Sequence, residues 1–216
     1  MTRPASPPTS TTSHAILGLL ALRSWTTYEL AKQVQRSIGW FWPRAERKLY
    51  DEPKRLVAAG LAASTAEMTG ARPRTVYTIT ARGEKALRTW LGEPPAPPSL
   101  EFEGLVKVFF SDNGTLEQLR TTLQSIAETS DARRADLEDK ERQNAAAEVP
   151  FPDRRAINQV ALRFELDHER SIGTWARWAL EQVADWRTPT DPGSWVYRSA
   201  ARSVRDDFTR PSSGRR

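Results

Sequence analysis

Apolar positions first gather at residues 15–22 (AILGLLAL). Before them, residues 1–13 are rich in Pro, Ser and Thr and carry no apolar periodicity, so they read as a flexible tail. The apolar run predicts a short helix buried on most sides. Thr26 and Glu29 have the spacing of a capping box: the hydroxyl accepts from a free backbone amide, and the carboxylate reaches back to the capping residue. The helix opened there carries Leu30 and Val34 on one face and Lys32 and Arg36 on the other, and it ends near Gly39. Trp40, Phe41 and Trp42 make a bulky apolar turn. Pro43 suits the first position of a following helix, where its missing N–H is not needed. On that helix Ala45, Leu49 and Leu56 fall near one face, and Arg44, Arg47, Lys48, Asp51 and Arg55 on the other. Pro53 removes a donor and crowds the Leu49 carbonyl, which predicts a kink or a tightened turn. Gly60 ends the helix.

The period then changes from helix to strand. Residues 62–68 and 74–79 read as two short strands around the turn at 69–73, the second rich in β-favouring side chains (Val76, Tyr77, Thr78, Ile79). Thr80 caps a helix over 81–91. Four prolines among residues 93–98 cannot enter a helix or a central strand and mark a spacer, placed at 93–100, between two units. In the second unit, Phe102, Leu105, Val106, Phe109 and Phe110 give a short helix one very apolar side. Thr115 with Gln118 forms another capping box. It opens a long helix with Leu116, Leu119, Leu123 and Ile126 in step, which beyond Leu137 turns polar as a solvated or frayed end would. After Pro150 and Pro152 a last helix, about 154–186, carries the stripe Ile157, Val160, Phe164, His168, Ile172, Trp175, Ala179, Val183 and Trp186. Its steps of three and four are the spacing of a packed helical seam. Residues 188–216 are rich in Ser, Arg and Pro and read as a mostly disordered tail with a basic end.

Composition narrows the function. The chain is 38% hydrophobic and 27% charged, which suits a water-soluble globular protein, and no apolar run is long enough to span a bilayer. It has no cysteine, so a thiolate metal site, a disulfide framework and a thiol nucleophile are all excluded. His14 and His168 are the only histidines and stand in no metal-ligand pattern. Neither a Gly-rich phosphate loop nor a nucleophile elbow is present. The expectation is a cytoplasmic protein that is not an enzyme and holds no cofactor. Its charge is uneven. Residues 1–92 hold fourteen Lys/Arg against six Asp/Glu, a net +8, while residues 93–216 hold eighteen against twenty-one, a net −3. A polyanion such as DNA would meet the first half.

The ordered set Ala15-Ile16-Leu17-Gly18-Leu19-Leu20, Thr27-Tyr28-Glu29-Leu30, Lys48-Leu49-Tyr50, Arg55-Leu56, Gly60-Leu61 and Tyr77-Thr78-Ile79-Thr80 with Gly83 resembles the winged helix-turn-helix of PadR-like transcriptional regulators. Residues 103–110 (EGLVKVFF) resemble the entry to that family's helical C-terminal domain. The resemblance spans roughly 13–186. It implies a mainly α fold with a small β-hairpin: a winged helix-turn-helix DNA-binding domain at 14–92 and a helical dimerisation domain at 101–187. It further implies a cytoplasmic, dimeric, DNA-binding repressor, often released by a small molecule. Where the family commonly has an aliphatic residue three places after the helix tyrosine, this chain has Pro53.

On that frame the candidate DNA-binding residues fall into three groups. Arg44, Arg47 and Lys48 lie near the start of the second helix of the motif, where side chains reach base edges, and an arginine fork matches two acceptors on guanine. Arg72 and Arg74 sit at the hairpin turn, where a wing meets phosphates or the minor groove. Tyr50, Thr27 and Lys32 are candidates for phosphate contacts, Tyr50 having packing under the hairpin as its alternative. Candidate dimerisation residues are Ile157, Val160, Phe164, His168, Ile172, Trp175 and Ala179. Among eight tryptophans, Trp175 and Trp178 lie one turn apart. They suit core and dimer packing, or an aromatic pocket for a flat or cationic effector. The partners expected are double-stranded DNA, a second copy of the chain and a small-molecule effector. The alternative is a protein-interaction module that uses the same elements without DNA.

Overall fold

The computed structural model describes residues 10–43, 50–69, 72–146 and 151–193. They divide at Pro98–Ser99 into two compact units.

In the first unit, helix α1 spans Thr11–Leu20. It starts four residues before the apolar run because Ser10 caps it. The Ser10 hydroxyl accepts from the Ser13 amide at 3.2 Å, and the Ser10 amide donates to Ser13 Oγ at 2.9 Å. The tail expected at 1–13 is therefore shorter than its composition implies. Ile16, Leu17, Leu19 and Leu20 of α1 form the centre of the unit's core. Around them pack Leu30 and Val34 of α2 (Thr27–Arg36), Leu56 of α3 (Glu52–Ala58), and Leu61, Ala62, Trp25 and Tyr77. Each large aliphatic side chain fully removed from water contributes roughly 1.5–3 kcal/mol. Pro53 does not kink a long helix. It occupies the first turn of α3, where its lack of an N–H costs nothing. Gly60 closes α3 with φ +69°, a left-handed conformation that glycine takes without a Cβ penalty.

The sheet has three antiparallel strands in the order β1-β3-β2. Strands β2 (Ala62–Thr69) and β3 (Arg72–Ile79) pair from Ala62↔Ile79 to Thr69↔Arg72. Strand β1 (Trp25–Thr26) is only two residues long, and it pairs Trp25↔Tyr77 and Thr26↔Val76. Trp25 is buried, and its indole N–H donates to the Leu19 carbonyl at 2.7 Å, which fixes the strand to the end of α1. Helix α4 (Ala81–Leu91) is capped by Thr80, whose hydroxyl accepts from Gly83 N–H at 3.1 Å.

Thr26 caps α2 as well as ending β1. Its hydroxyl accepts from Glu29 N–H at 3.2 Å, and Glu29 accepts from the Thr26 amide at 2.8 Å. The Thr26 amide, then its hydroxyl, with Arg23 adding to them, hold the Glu29 carboxyl below its ordinary 4.5; burial pulls the other way. A carboxyl depressed in the fold adds stability above its unfolded value and loses it as the pH falls through the folded one. Thr26→Ala is therefore expected to cost about 1 kcal/mol at pH 7. The gap to the parent should narrow below about pH 4.5, as read by thermal melting across pH.

The second unit begins with α5 (Glu103–Phe109) and a 3₁₀ turn at Ser111–Asn113. Two long antiparallel helices follow, α6 (Leu116–Ala146) and α7 (Arg155–Gln182), the second preceded by a 3₁₀ turn at Pro152–Arg154. Leu119, Leu123, Ile126 and Ala127 of α6 meet Ala176, Ala179 and Val183. The Arg120 guanidinium seals the end of α7, donating to the Val183 carbonyl at 3.0 Å. Further along, the helices approach where Gly173 faces Ser130, and a Cβ on Gly173 would stand 3.0 Å from Ser130 Oγ. Ser130 Oγ donates to the Glu169 carbonyl, and the buried Glu169 carboxylate lies 3.6 Å from Arg133. Burial pushes the Glu165 carboxyl up, against the pull of Lys140. Past Leu137 the polar end of α6 stays helical to Ala146. Pairs four residues apart line it: Arg134–Glu138 at 2.8 Å, Lys140–Asp136 at 2.6 Å and Gln143–Asp139 at 2.6 Å. No helix among the described residues is long and apolar enough to cross a membrane.

Candidate nucleic-acid interface

The β1–β3 pairing places the first turn of α2 against the middle of the wing strand. Thr26, Thr27, Tyr28 and Glu29 from the start of α2 line one concave surface with Arg74 and Thr75 of β3. Thr27 is half-buried at its rim and Tyr28 is exposed. Lys32, one turn further along α2, holds its ammonium 4.6 Å from the Tyr28 ring centroid. Three of the sequence-derived candidates, Thr27, Lys32 and Arg74, thus share one neighbourhood. Tyr28 completes it, and sequence reasoning passed it over. The available signal was its place two residues after the capping Thr26 and four residues before a lysine.

Arg74 faces Glu67 across the hairpin, in direct register. Its Nη2 and Nε donate to Glu67 Oε2 at 2.8 and 3.2 Å, and both side chains are about half exposed. A phosphate approaching Arg74 competes with this carboxylate, and an exposed pair of this kind is held by roughly 0–1 kcal/mol. Glu67→Gln is expected to tighten binding to duplex DNA about threefold at low salt, read by fluorescence anisotropy. Unchanged binding would mean that Arg74 contacts no phosphate.

Tyr50 is 67% exposed, so it does not pack under the hairpin. Arg44, Arg47 and Lys48 lie outside the described residues, as does the side chain of Arg72. Arg55 donates to Glu52 at 3.1 Å. In the second unit the apolar stripe of α7 divides. Ile157, Val160 and Phe164 are 56, 68 and 61% exposed, and His168 lies tilted beside Phe164 with ring centroids 6.0 Å apart. Ile172, Trp175 and Ala179 turn inward onto α6. Trp175 meets the edge of Phe102 at 6.2 Å, and Trp178 packs on the cluster of Leu119, Leu123 and Val183. Both tryptophans are half-buried within their own unit. Among the described residues, no group of His, Asp and Glu side chains is gathered that could hold a metal ion.

Residues 16–89, which hold the whole of the sheet and most of the helices around it, match the transcriptional regulator PadR-like family. This part of the chain is a PadR-like family domain. Residues 103–184 match the C-terminal domain described as virulence activator alpha. The negative transcriptional regulator PadR of Bacillus subtilis is 24% identical over 174 residues, which cover 79% of this PadR-like chain and 96% of the relative. Its crystal structure in complex with operator DNA matches with a TM-score of 0.68 at 22% identity, over 81% of this chain and 99% of that one. The same protein in complex with p-coumaric acid matches at 0.63 and 22%, over 84% and 99%. The Vibrio cholerae virulence activator AphA matches at 0.61 and 25%, over 81% and 98%. The fold is the PadR-like winged helix followed by a helical region, and the chain is a transcriptional regulator.

Proposed function

We propose that the chain is a dimeric, sequence-specific DNA-binding repressor. It reads an inverted repeat through two copies of the winged helix, works in the cytoplasm and is released by a small-molecule effector. The observation that carries this reading is the surface shared by Thr27, Tyr28 and Arg74, with the Lys32 ammonium beside the Tyr28 ring, in the half of the chain with the +8 charge bias. Residues 14–92 serve as the DNA-binding domain, 93–100 as the linker and 101–187 as the dimerisation domain. Arg44, Arg47 and Lys48 present guanidinium and ammonium groups to base edges in the major groove. The Thr27 hydroxyl, Tyr50, Lys32, Arg72 and Arg74 hold phosphates, which fix register without reading sequence. Repression and an effector step are supported by the Bacillus subtilis relative, named as a negative regulator and seen with operator DNA and with p-coumaric acid. Because Trp175 and Trp178 pack within their own unit, they would meet an effector only at their exposed edges.

A second copy is expected on the exposed part of the α7 stripe. Three large apolar side chains in water, at spacings of three and four, form half of a helical seam. A Val160→Glu/Phe164→Glu variant should dissociate about tenfold more readily by analytical ultracentrifugation while its helix content holds. Cooperative binding to an inverted repeat should fall with it. The reading as a whole is tested by affinity for duplex DNA across salt. Each phosphate contact adds close to one unit to the slope of log affinity against log salt, so an affinity indifferent to salt rejects DNA binding in favour of a protein-interaction module.

A further inference from the structure

Three consecutive polar residues in the first turn of α1 are buried, and each reaches a different part of the first unit. Thr12 is 3% exposed and its Oγ1 accepts from the Trp42 indole N–H at 3.0 Å. Ser13 is 2% exposed and its Oγ donates to Glu52 Oε1. His14 lies flat on Trp90 near the end of α4, with ring centroids 4.7 Å apart and planes within 1°. Trp42 and Glu52 stand on either side of residues 43–51, the stretch that carries Arg44, Arg47 and Lys48. Buried side-chain hydrogen bonds of this kind are costly to leave half-made, so each fixes its partner in one place. Glu52 is itself 2% exposed, and Arg55 donates to its other oxygen at 3.1 Å.

We infer that the first turn of α1 is a positioning element for DNA reading: Thr12 and Ser13 brace the two ends of the stretch that contacts bases. This rests on the DNA-binding reading above and deepens it by assigning residues that touch no DNA. Phosphate contacts from the wing and from α2 do not pass through this brace. Base contacts from residues 43–51 do, because an arginine fork must meet its acceptors with near-ideal geometry. Loosening the brace therefore costs sequence discrimination while leaving general affinity for duplex DNA in place. Ser13 Oγ also closes the α1 cap with Ser10, so a loss of fold is controlled separately.

The test uses a Thr12→Val/Ser13→Ala double variant of the full chain, with Thr12→Ser as the conservative control. The first probe is a duplex selected from a random-sequence pool by the parent protein, paired with an unselected duplex of equal length. The second readout is hydrogen–deuterium exchange by mass spectrometry without DNA. For the double variant, affinity for the selected duplex should fall about tenfold while affinity for the unselected duplex holds within about twofold. Exchange should rise in peptides covering 43–51 and stay level in β2 and β3. Thr12→Ser should match the parent in both. Equal losses on both duplexes, unchanged discrimination, or exchange that does not rise over 43–51 each overturn the inference. If the parent protein enriches no sequence from the pool, sequence-specific reading itself fails, an outcome separate from any behaviour of the variants.

Discussion

An Arg47→Ala/Lys48→Ala variant should bind its specific duplex about a hundredfold more weakly than the parent at the same salt. A side chain making two good hydrogen bonds to a base edge contributes about 1–3 kcal/mol of discrimination, and every 1.4 kcal/mol is tenfold in affinity. In the proposed base-reading role, Arg47 would present a fork and Lys48 a point charge, and the two together would account for that loss. On the proposed reading, binding to unrelated duplex should fall less, because phosphate contacts assigned to the wing and α2 would remain. The slope of log affinity against log salt should drop by about one for each cation that touched a phosphate. Anisotropy titrations at four or five salt concentrations separate the two effects. Equal affinity and equal slope in variant and parent would remove these residues from the interface.

Gly83→Ala is expected to be the most damaging single methyl in the first unit. A Cβ at Gly83 would lie 2.0 Å from the Leu61 carbonyl oxygen and 2.9 Å from Ile79 Cγ1. Neither neighbour has room to give. The Leu61 carbonyl accepts from Thr80 N–H at 3.1 Å, and Ile79 is in the β2–β3 ladder. The first turn of α4 would have to lift from the head of β2, at about 3 kcal/mol or more. In a domain of this size that lowers the melting temperature on the order of 15 °C. Gly18→Ala is the internal comparison: its Cβ meets nothing within 4 Å, and alanine in mid-helix is favoured over glycine by roughly 0.5–1 kcal/mol. Melting both variants should move the midpoint in opposite directions. A Gly83→Ala protein as stable as the parent would mean that α4 is not seated against Leu61.

Where local chemistry alone sets an element, the sequence displays it. The Thr26/Glu29 and Thr115/Gln118 boxes and the Thr80 cap all open helices at those residues, since the partners lie three positions apart and need nothing distant. Strands β2 and β3 are likewise found where the β-favouring residues and the turn signal put them, one or two residues longer. What escaped depends on contacts far along the chain. Strand β1 exists because Trp25 finds Tyr77, more than fifty residues away, and two residues have no period to detect. The early start of α1 rests on a serine in place of the usual acidic or amide partner three residues after its cap, inside a stretch whose composition looks like a tail. The charge pattern around Pro53 suggests one continuous helix that the proline interrupts, whereas α3 begins at Glu52. The α7 stripe shows the limit most clearly. Its spacing is uniform, yet Trp175 and Ala179 face α6 while Val160 and Phe164 face solvent, and periodicity cannot distinguish an inner neighbour from an outer one.

The meeting of Gly173 with Ser130, and of Ser130 with the Glu169 carbonyl, locks α6 and α7 into one alignment over many turns. An insertion or deletion of one residue between Leu119 and Ser130 would rotate every later side chain of α6 by about 100° and set a polar group against aliphatic carbon. Through descent, then, relatives of this chain should vary in length at the connection between the two helices. Inside them, gains and losses should come only as compensated changes in both.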